Sequence, residues 1–139
     1  MTLKQDIIID TGPLVALLNR ADGAHAWVLM QMQGMSPPFI TCEAVLSEAS
    51  YLTRNLKGAR AALMEMVGEN FLRIGMTVQD HHAALLAMIR RYDSVPMSVA
   101  DACIVRLAEL HPASSVFTLD SDFSIYRKNG RQVIKLITI

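Results

Sequence analysis

The sequence predicts an α/β fold, a three-layer α/β/α sandwich built on a central parallel sheet of about five strands. Short apolar β-branched runs such as Ile7-Ile8-Ile9 are typical of strands that are buried on both faces. These runs alternate with longer segments in which apolar residues recur at helical spacing. Strands separated by helices of this length pair in parallel through right-handed crossovers, which fixes the expected class.

Each predicted element follows from local pattern and from breaking residues. The first strand ends before Gly12-Pro13, and His111-Pro112 ends the longest apolar helix. In chain order, we expect a strand at 7–9, helices over 13–18 and 22–32, a strand at 39–41, helices over 42–56 and 58–68, a strand at 71–74, helices over 78–92 and 98–110, a strand at 115–119, a short helix over 123–127 and a last strand at 132–137.

Length and composition indicate one globular domain over residues 1–139. The chain is 52% hydrophobic, which favours a single well-buried core. It has no run of eighteen apolar residues, so we expect no transmembrane helix. Cys42 and Cys103 lack metal-type spacing and are expected to be reduced thiols of a cytoplasmic protein.

The formal net charge of zero gives no global signature of nucleic-acid binding. Local basic clusters remain at 54–60, at 90–91 and at 127–128. Each cluster is either a solvated helix surface or part of a local basic face, and the sequence leaves both interpretations open.

Five acidic residues stand at unusual positions, and each has an ordinary structural explanation. Asp10 could cap the helix that follows it, and Asp101 follows Ser98 at capping-box spacing. Glu48 borders the apolar stripe of its helix, where a salt bridge to an arginine would satisfy it. Asp120 and Asp122 could be turn or cap residues.

The positions of these acids together favour a metal site. Asp10 and Asp120 both follow strands, and the carboxyl ends of parallel strands meet at one edge of the sheet. Glu48 and Asp101 are expected to face inward near the starts of helices that begin at that edge. Four carboxylates there would repel one another unless a cation neutralised them. Oxygen ligands suit Mg²⁺ or Mn²⁺, which can activate water and stabilise an in-line phosphoryl displacement.

The stretches around these acids resemble the four acidic motifs of PIN domains, in the same order. They read Ile-Ile-Ile-Asp10-Thr-Gly-Pro, Val-Leu-Ser-Glu48-Ala, Ser-Val-Ala-Asp101-Ala and Thr118-Leu-Asp120-Ser-Asp122-Phe. Asp22-Gly-Ala-His25 is also similar to the Asp-x-x-His element that often follows the first motif in such proteins. The similarity to the VapC-type toxin ribonucleases and their close relatives covers essentially the whole chain.

The resemblance implies a metal-dependent endoribonuclease that leaves a 3′-hydroxyl and a 5′-phosphate. The acids that would bind Mg²⁺ (or Mn²⁺), directly or through water, are Asp10, Glu48, Asp101 and Asp120, with Asp122 as an auxiliary ligand or a cap. Thr11 and Thr118 would be supporting polar groups. Basic side chains near the acids would hold the RNA backbone. The implied partners are an RNA substrate, a small antitoxin protein and a second copy of the chain.

Other functions fit the sequence less well. Asp10-Thr-Gly matches the aspartic-protease triplet, but those enzymes are nearly all-β. A phosphatase of the haloacid-dehalogenase type needs an acid two residues after the first, where this chain has Gly12. A non-catalytic PIN-like module that binds RNA or a protein partner remains open. His25 is expected to pack rather than bind metal, and residues 27–35 and 63–67 are candidate oligomer surfaces.

Overall fold

The structure, a computed structural model, describes residues 5–139 and has the expected α/β/α architecture. The sheet contains β1 (Ile7–Ile9), β2 (Phe39–Thr41), β3 (Leu72–Ile74), β4 (Ser115–Phe117) and β7 (Leu136–Ile137). The helices are α1 (Thr11–Leu18), α2 (His25–Met32), α3 (Glu43–Leu52), α4 (Ala59–Gly68), α5 (Val78–Arg91) and α6 (Val99–Leu110). Separate from the sheet, β5 (Arg127–Lys128) and β6 (Gln132–Val133) pair as an antiparallel hairpin.

The sheet has the order β3-β2-β1-β4-β7, and all four strand pairs are parallel. The central strand is β1, whose Ile8 pairs with Ile40 on one side and Val116 on the other. The side chains of Ile8 and Ile9 are completely buried, as expected for a strand covered on both faces. Because every strand runs the same way, all carboxyl ends lie at one edge, and Asp10 follows β1 at that edge.

Helix α6 is the helix most deeply embedded in the core. It packs on the central strands β1, β2 and β4, and most of its side chains between Ala100 and Ala108 are buried. This burial fixes the N-terminal end of α6 against the sheet. Asp101, in the first turn of the helix, is therefore held near the carboxyl edge.

The C-terminal region differs from the sequence prediction. The single strand expected at 132–137 is divided into β6 and β7, which belong to different sheets. The short helix expected at 123–127 is a 3-10 helix at Ser121–Ser124, and Arg127 belongs to β5. The apolar pattern of residues 132–137 is compatible with one continuous strand and also with two short strands that pair with different partners. The pattern therefore could not predict the break between Val133 and Leu136.

Two helix boundaries differ from the prediction by three residues or more. Helix α2 begins at His25 rather than Asp22, since the Asp22 carboxylate accepts a hydrogen bond from the Ala24 backbone at 2.8 Å and forms a turn. Helix α3 ends at Leu52 rather than Leu56. Throughout residues 5–139, no helix has both the length and the apolar character needed to cross a bilayer.

Candidate metal centre

A cleft of about 480 Å³ opens at the carboxyl edge of the sheet. Five carboxylate side chains line it: Asp10, Asp22, Glu48, Asp101 and Asp120. The other lining residues are small, polar or aliphatic, and within residues 5–139 no basic side chain lines the cleft. All four acids that the sequence singles out as primary ligands therefore share one cavity, in which no protein cation neutralises them.

Asp10 is the most buried of these acids, with 5% of its surface exposed. It occupies the N-cap position of α1, but its side chain makes no capping hydrogen bond, so the capping explanation of Asp10 is wrong. Burial raises the pKa of Asp10 to about 6, and the nearby charges of Asp101 and Asp120 raise it further, against hydrogen bonds from Thr118 and Thr11 that lower it. The fold thus holds an acid whose ionisation is costly without a counter-charge.

Thr118 orients the carboxylate of Asp10. The buried Thr118 hydroxyl donates to Asp10 Oδ2 at 2.7 Å and accepts the backbone N–H of Asp120 at 3.0 Å. Because the hydroxyl oxygen already accepts from Asp120, its proton is directed to Asp10. One threonine thereby connects the first and the last acidic motifs.

Asp101 has two functions in the structure. Its backbone N–H and its carboxylate complete a capping box with Ser98, so the capping prediction is confirmed. Its Oδ2 also accepts the hydroxyl of Tyr126 at 3.0 Å. Burial raises the pKa of Asp101 and the charge of Asp120 adds to this rise, while the hydrogen bonds from Ser98 and Tyr126 oppose it.

Glu48 reaches the cleft from its surface side. It is exposed, not inward-facing as the helical spacing predicted, because it stands at the mouth of the cleft. No arginine pairs with it among the ion pairs of residues 5–139, so the salt-bridge explanation is also wrong. The hydroxyl of Thr11 donates to Glu48 Oε2 at 3.1 Å and orients the carboxylate.

The remaining acids of the motifs are divided between the cleft and the turn beside it. Asp120 lines the cleft, and its Oδ1 accepts the backbone N–H of Asp122 at 2.9 Å, which starts the 3-10 helix. The side chain of Asp122 is not among those that line the cleft. His25 packs as expected, with Nδ1 donating to the carbonyl of Ala16 at 2.6 Å, while Asp22 faces the cleft.

A common pattern emerges from these contacts. Neighbouring side chains and turns hold one identified oxygen of each acid, which is Oδ2 in Asp10 and Asp101, Oε2 in Glu48 and Oδ1 in Asp120. Because a carboxylate has about four lone pairs, each acid keeps acceptor capacity for a ligand in the cleft. Oxygen donors that carry unbalanced negative charge are the donor set that Mg²⁺ and Mn²⁺ prefer, so these residues fit such an ion.

The carboxylates line the cleft without converging into a ready-made cluster. Among residues 5–139, no three side chains of the types His, Cys, Asp or Glu lie close enough together to enclose a metal ion. Like charges that face one another without a counter-charge are expected to stay apart. The fit to a divalent cation therefore depends on donor type, charge and orientation.

Sequence reasoning missed two residues of the site. Tyr126 lies beyond the last acidic motif, and no spacing rule connects it to Asp101, which it meets only through the packing of its ring against Tyr92 and Phe123. In the sequence, Asp22 stands out only as part of its Asp-x-x-His element, and no strand or helix pattern places it at the carboxyl edge.

Comparisons with known proteins agree with the fold described above. A family model for the PIN domain matches residues 7–129. The fold is similar to the crystal structure of VapC20 from Mycobacterium tuberculosis, a sarcin-ricin loop cleaving toxin, with a TM-score of 0.77 and 22% sequence identity. The match covers 86% of this chain and 94% of that chain. A search of curated proteins found no match.

Proposed function

The chain belongs to the PIN-domain family, and from this premise we propose that it is a Mg²⁺- or Mn²⁺-dependent endoribonuclease that hydrolyses RNA phosphodiester bonds. The observation that supports the proposal most directly is the cleft, which gathers five carboxylates and no basic side chain at the carboxyl edge of the parallel sheet. Such a site favours a divalent cation over any neutral or anionic ligand.

Asp10, Glu48, Asp101 and Asp120 would hold the ion, directly or through water, by the oxygens that their neighbours leave accessible. A divalent cation bound there supplies Lewis-acid stabilisation of the phosphoryl oxygens and lowers the pKa of water. We expect products with a 3′-hydroxyl and a 5′-phosphate.

The other residues of the site keep the carboxylates in position. The hydroxyl of Thr118 holds Oδ2 of Asp10, and the hydroxyl of Thr11 holds Oε2 of Glu48. Tyr126 is a positioning residue, because its hydroxyl holds Asp101 Oδ2 while its own ring is completely buried. Contacts of this kind orient metal-binding side chains and typically affect metal affinity by about 10- to 100-fold.

The proposal is tested by cleavage of a long RNA in Mn²⁺, in EDTA and with Asp10→Asn. This variant keeps the size of the side chain and removes its charge. We expect the wild type to cut RNA only with the cation, and Asp10→Asn to lose at least about 100-fold in rate. A wild type that binds RNA but never cuts it would be the non-catalytic module, and metal-dependent cleavage that survives Asp10→Asn would refute the proposed site.

We further propose that the chain is the toxin of a toxin–antitoxin pair, that it acts in the cytoplasm and that it forms a homodimer. The toxin VapC20 shares its fold. Leu29 and Met30 of α2 and Met64 of α4 are exposed apolar side chains in the segments expected to form oligomer surfaces. Light scattering with Met30→Glu tests the dimer. Expression of the chain in bacteria tests the toxin role: growth should stop, and co-expression of a small protein encoded by the neighbouring reading frame should restore it.

A further inference from the structure

The turn between α3 and α4, together with the first residues of α4, carries a cluster of positive charge over residues 53–61, which we name the basic turn. Arg54, Lys57 and Arg60 line one surface depression of about 470 Å³, with no acidic side chain among its walls. Within residues 5–139 none of these three cations pairs with an acid, and the first turn of α4 contains no acidic residue. In a chain of zero net charge, this is a local excess of cations that no acidic side chain within residues 5–139 neutralises.

The other basic clusters are used within the protein. The guanidinium of Arg127 donates to three backbone carbonyls of residues 124–126, and Lys128 donates to that of Pro112. The depression beside Arg91 and Arg127 also contains Glu109. The cluster at Arg127 and Lys128 is therefore satisfied at least in part by groups of the chain itself. In the basic turn only Arg54 has such partners, because Lys57 and Arg60 make no hydrogen bond or ion pair within residues 5–139.

An aromatic ring extends the basic turn. Tyr51 is 62% exposed, although tyrosine rings are usually half-buried or more. Arg54 lies over the ring at 4.1 Å from its centroid and donates from Nη1 to the Tyr51 carbonyl at 2.9 Å. The guanidinium is thus stacked on one face of a ring that is still largely exposed, and a cation together with an accessible aromatic face is the combination that proteins use to bind single-stranded nucleic acid.

The basic turn adjoins the acidic cleft. Leu52, the last residue of α3, lines the cleft, and Glu48 one turn earlier does so too. Arg54 follows only two residues after Leu52. Because the cleft itself repels phosphates, an RNA strand needs cations immediately outside it, and the basic turn supplies them directly after the helix that carries Glu48.

We propose that the basic turn binds the backbone phosphates of the RNA strand whose scissile bond enters the cleft, with one base stacked on Tyr51. The inference depends on the proposed function for its substrate, but it concerns a separate surface. Lys57 and Arg60 contribute charge without sequence preference, and Tyr51 contributes stacking that tolerates any base.

The test measures binding of a fluorescein-labelled mixed-sequence 20-nucleotide RNA to the full chain in EDTA, so that cleavage does not interfere. The double variant Lys57→Glu/Arg60→Glu is compared with the control Arg131→Glu/Lys135→Glu, which changes the net charge by the same amount. Lys135 of the control directly precedes β7, which is an outer strand of the sheet. We expect the first variant to bind at least about tenfold more weakly. Its slope of log affinity against log salt should fall by about 1.4, since each single-strand phosphate contact contributes about 0.7.

Tyr51→Ala separates stacking from charge. It should weaken binding by about tenfold with an unchanged salt slope, because loss of stacking releases no counterions. Equal affinities and slopes for the two double variants would overturn the inference even if Asp10→Asn abolishes cleavage. Conversely, loss of binding confined to Lys57→Glu/Arg60→Glu would support the basic turn even if the wild type proved unable to cut RNA.

Discussion

The two ends of helix α6 place acidic residues in opposite electrostatic surroundings. At the N-terminal end, Asp101 faces a cleft that contains four other carboxylates and no basic side chain. At the C-terminal end, Glu109 lies 3.0 Å from the guanidinium of Arg106 and accepts the backbone N–H of Asn129. The chain therefore neutralises the acidic side chain at the C-terminal end of α6 and leaves the one at the N-terminal end without a cationic partner. This difference supports the proposal that the N-terminal end of α6 is the functional end, without reference to any motif.

Two tyrosines repeat the contrast. Tyr92 and Tyr126 form an edge-to-face pair with ring centroids 5.1 Å apart. The hydroxyl of Tyr126 donates to Asp101 in the cleft, whereas that of Tyr92 accepts the backbone N–H of Arg127 on the side of Glu109. The same residue type in one aromatic cluster thus supports the cation site in one case and only the backbone in the other.

The largest expected effect separates the two acids of α6. Asp101→Asn should lower Mn²⁺-dependent RNA cleavage by at least about 100-fold, because it removes a ligand charge. Glu109→Gln should leave the rate within about twofold, and it should cost about 1 to 3 kcal/mol of stability, because the nearly buried carboxylate accepts hydrogen bonds from Arg106 and from the Asn129 backbone. Rates are measured on one RNA under single-turnover conditions. Equal losses of cleavage rate in Asp101→Asn and Glu109→Gln would show that the carboxylate in the cleft contributes no more to cleavage than the paired one.

The next effect is a pH dependence that belongs to the cleft. The pKa of Asp10 is about 6 in the fold against 3.8 for an unperturbed side chain, so between those values the folded state binds more protons than the unfolded state. The free energy of unfolding in EDTA should therefore fall by about 2 kcal/mol as the pH rises from 4 to 6, and the fall should level off as the pH passes through the folded pKa to about 7.

Urea denaturation at pH 4.5, 5.5 and 7 measures this slope, with Glu109→Gln as the control that keeps it. Asp10→Asn should flatten the slope, because the amide cannot ionise. Mn²⁺ should stabilise the wild type more at pH 7 than at pH 4.5, since the cation binds the ionised carboxylate. A slope that is unchanged in Asp10→Asn would mean that another group titrates there.

The smallest effect compares the two tyrosines. Tyr126→Phe should weaken Mn²⁺ binding by about tenfold, because Asp101 loses the hydrogen bond that orients it. Tyr92→Phe should not change Mn²⁺ affinity, although it removes one hydroxyl from the same aromatic pair. Thermal unfolding in EDTA checks that both variants remain folded. If the two variants bind Mn²⁺ alike, Tyr126 has a structural role only.

The sequence predicted the elements that define the fold, because the buried strand Ile7–Ile9 and the amphipathic helices are encoded locally. It also predicted which acids would meet, since strand direction alone brings Asp10 and Asp120 to one edge. It failed for Glu48, whose helical spacing suggested burial although the residue stands at the cleft mouth. The spacing of apolar residues gives the face of a helix but not the depth of the groove beside it. It also could not reveal Tyr126, because the contact of Tyr126 with Asp101 depends on tertiary packing and not on a local pattern.

Calorimetric titration of Mn²⁺ into the wild type and into Asp10→Asn tests the central claim most directly, because it needs neither an RNA target nor a partner. We predict saturable binding of Mn²⁺ to the wild type at pH 7, loss of this binding in Asp10→Asn and its retention in Glu109→Gln. Mn²⁺ binding of equal affinity in all three proteins, or none in the wild type, would contradict a cation site at the carboxyl edge of the sheet.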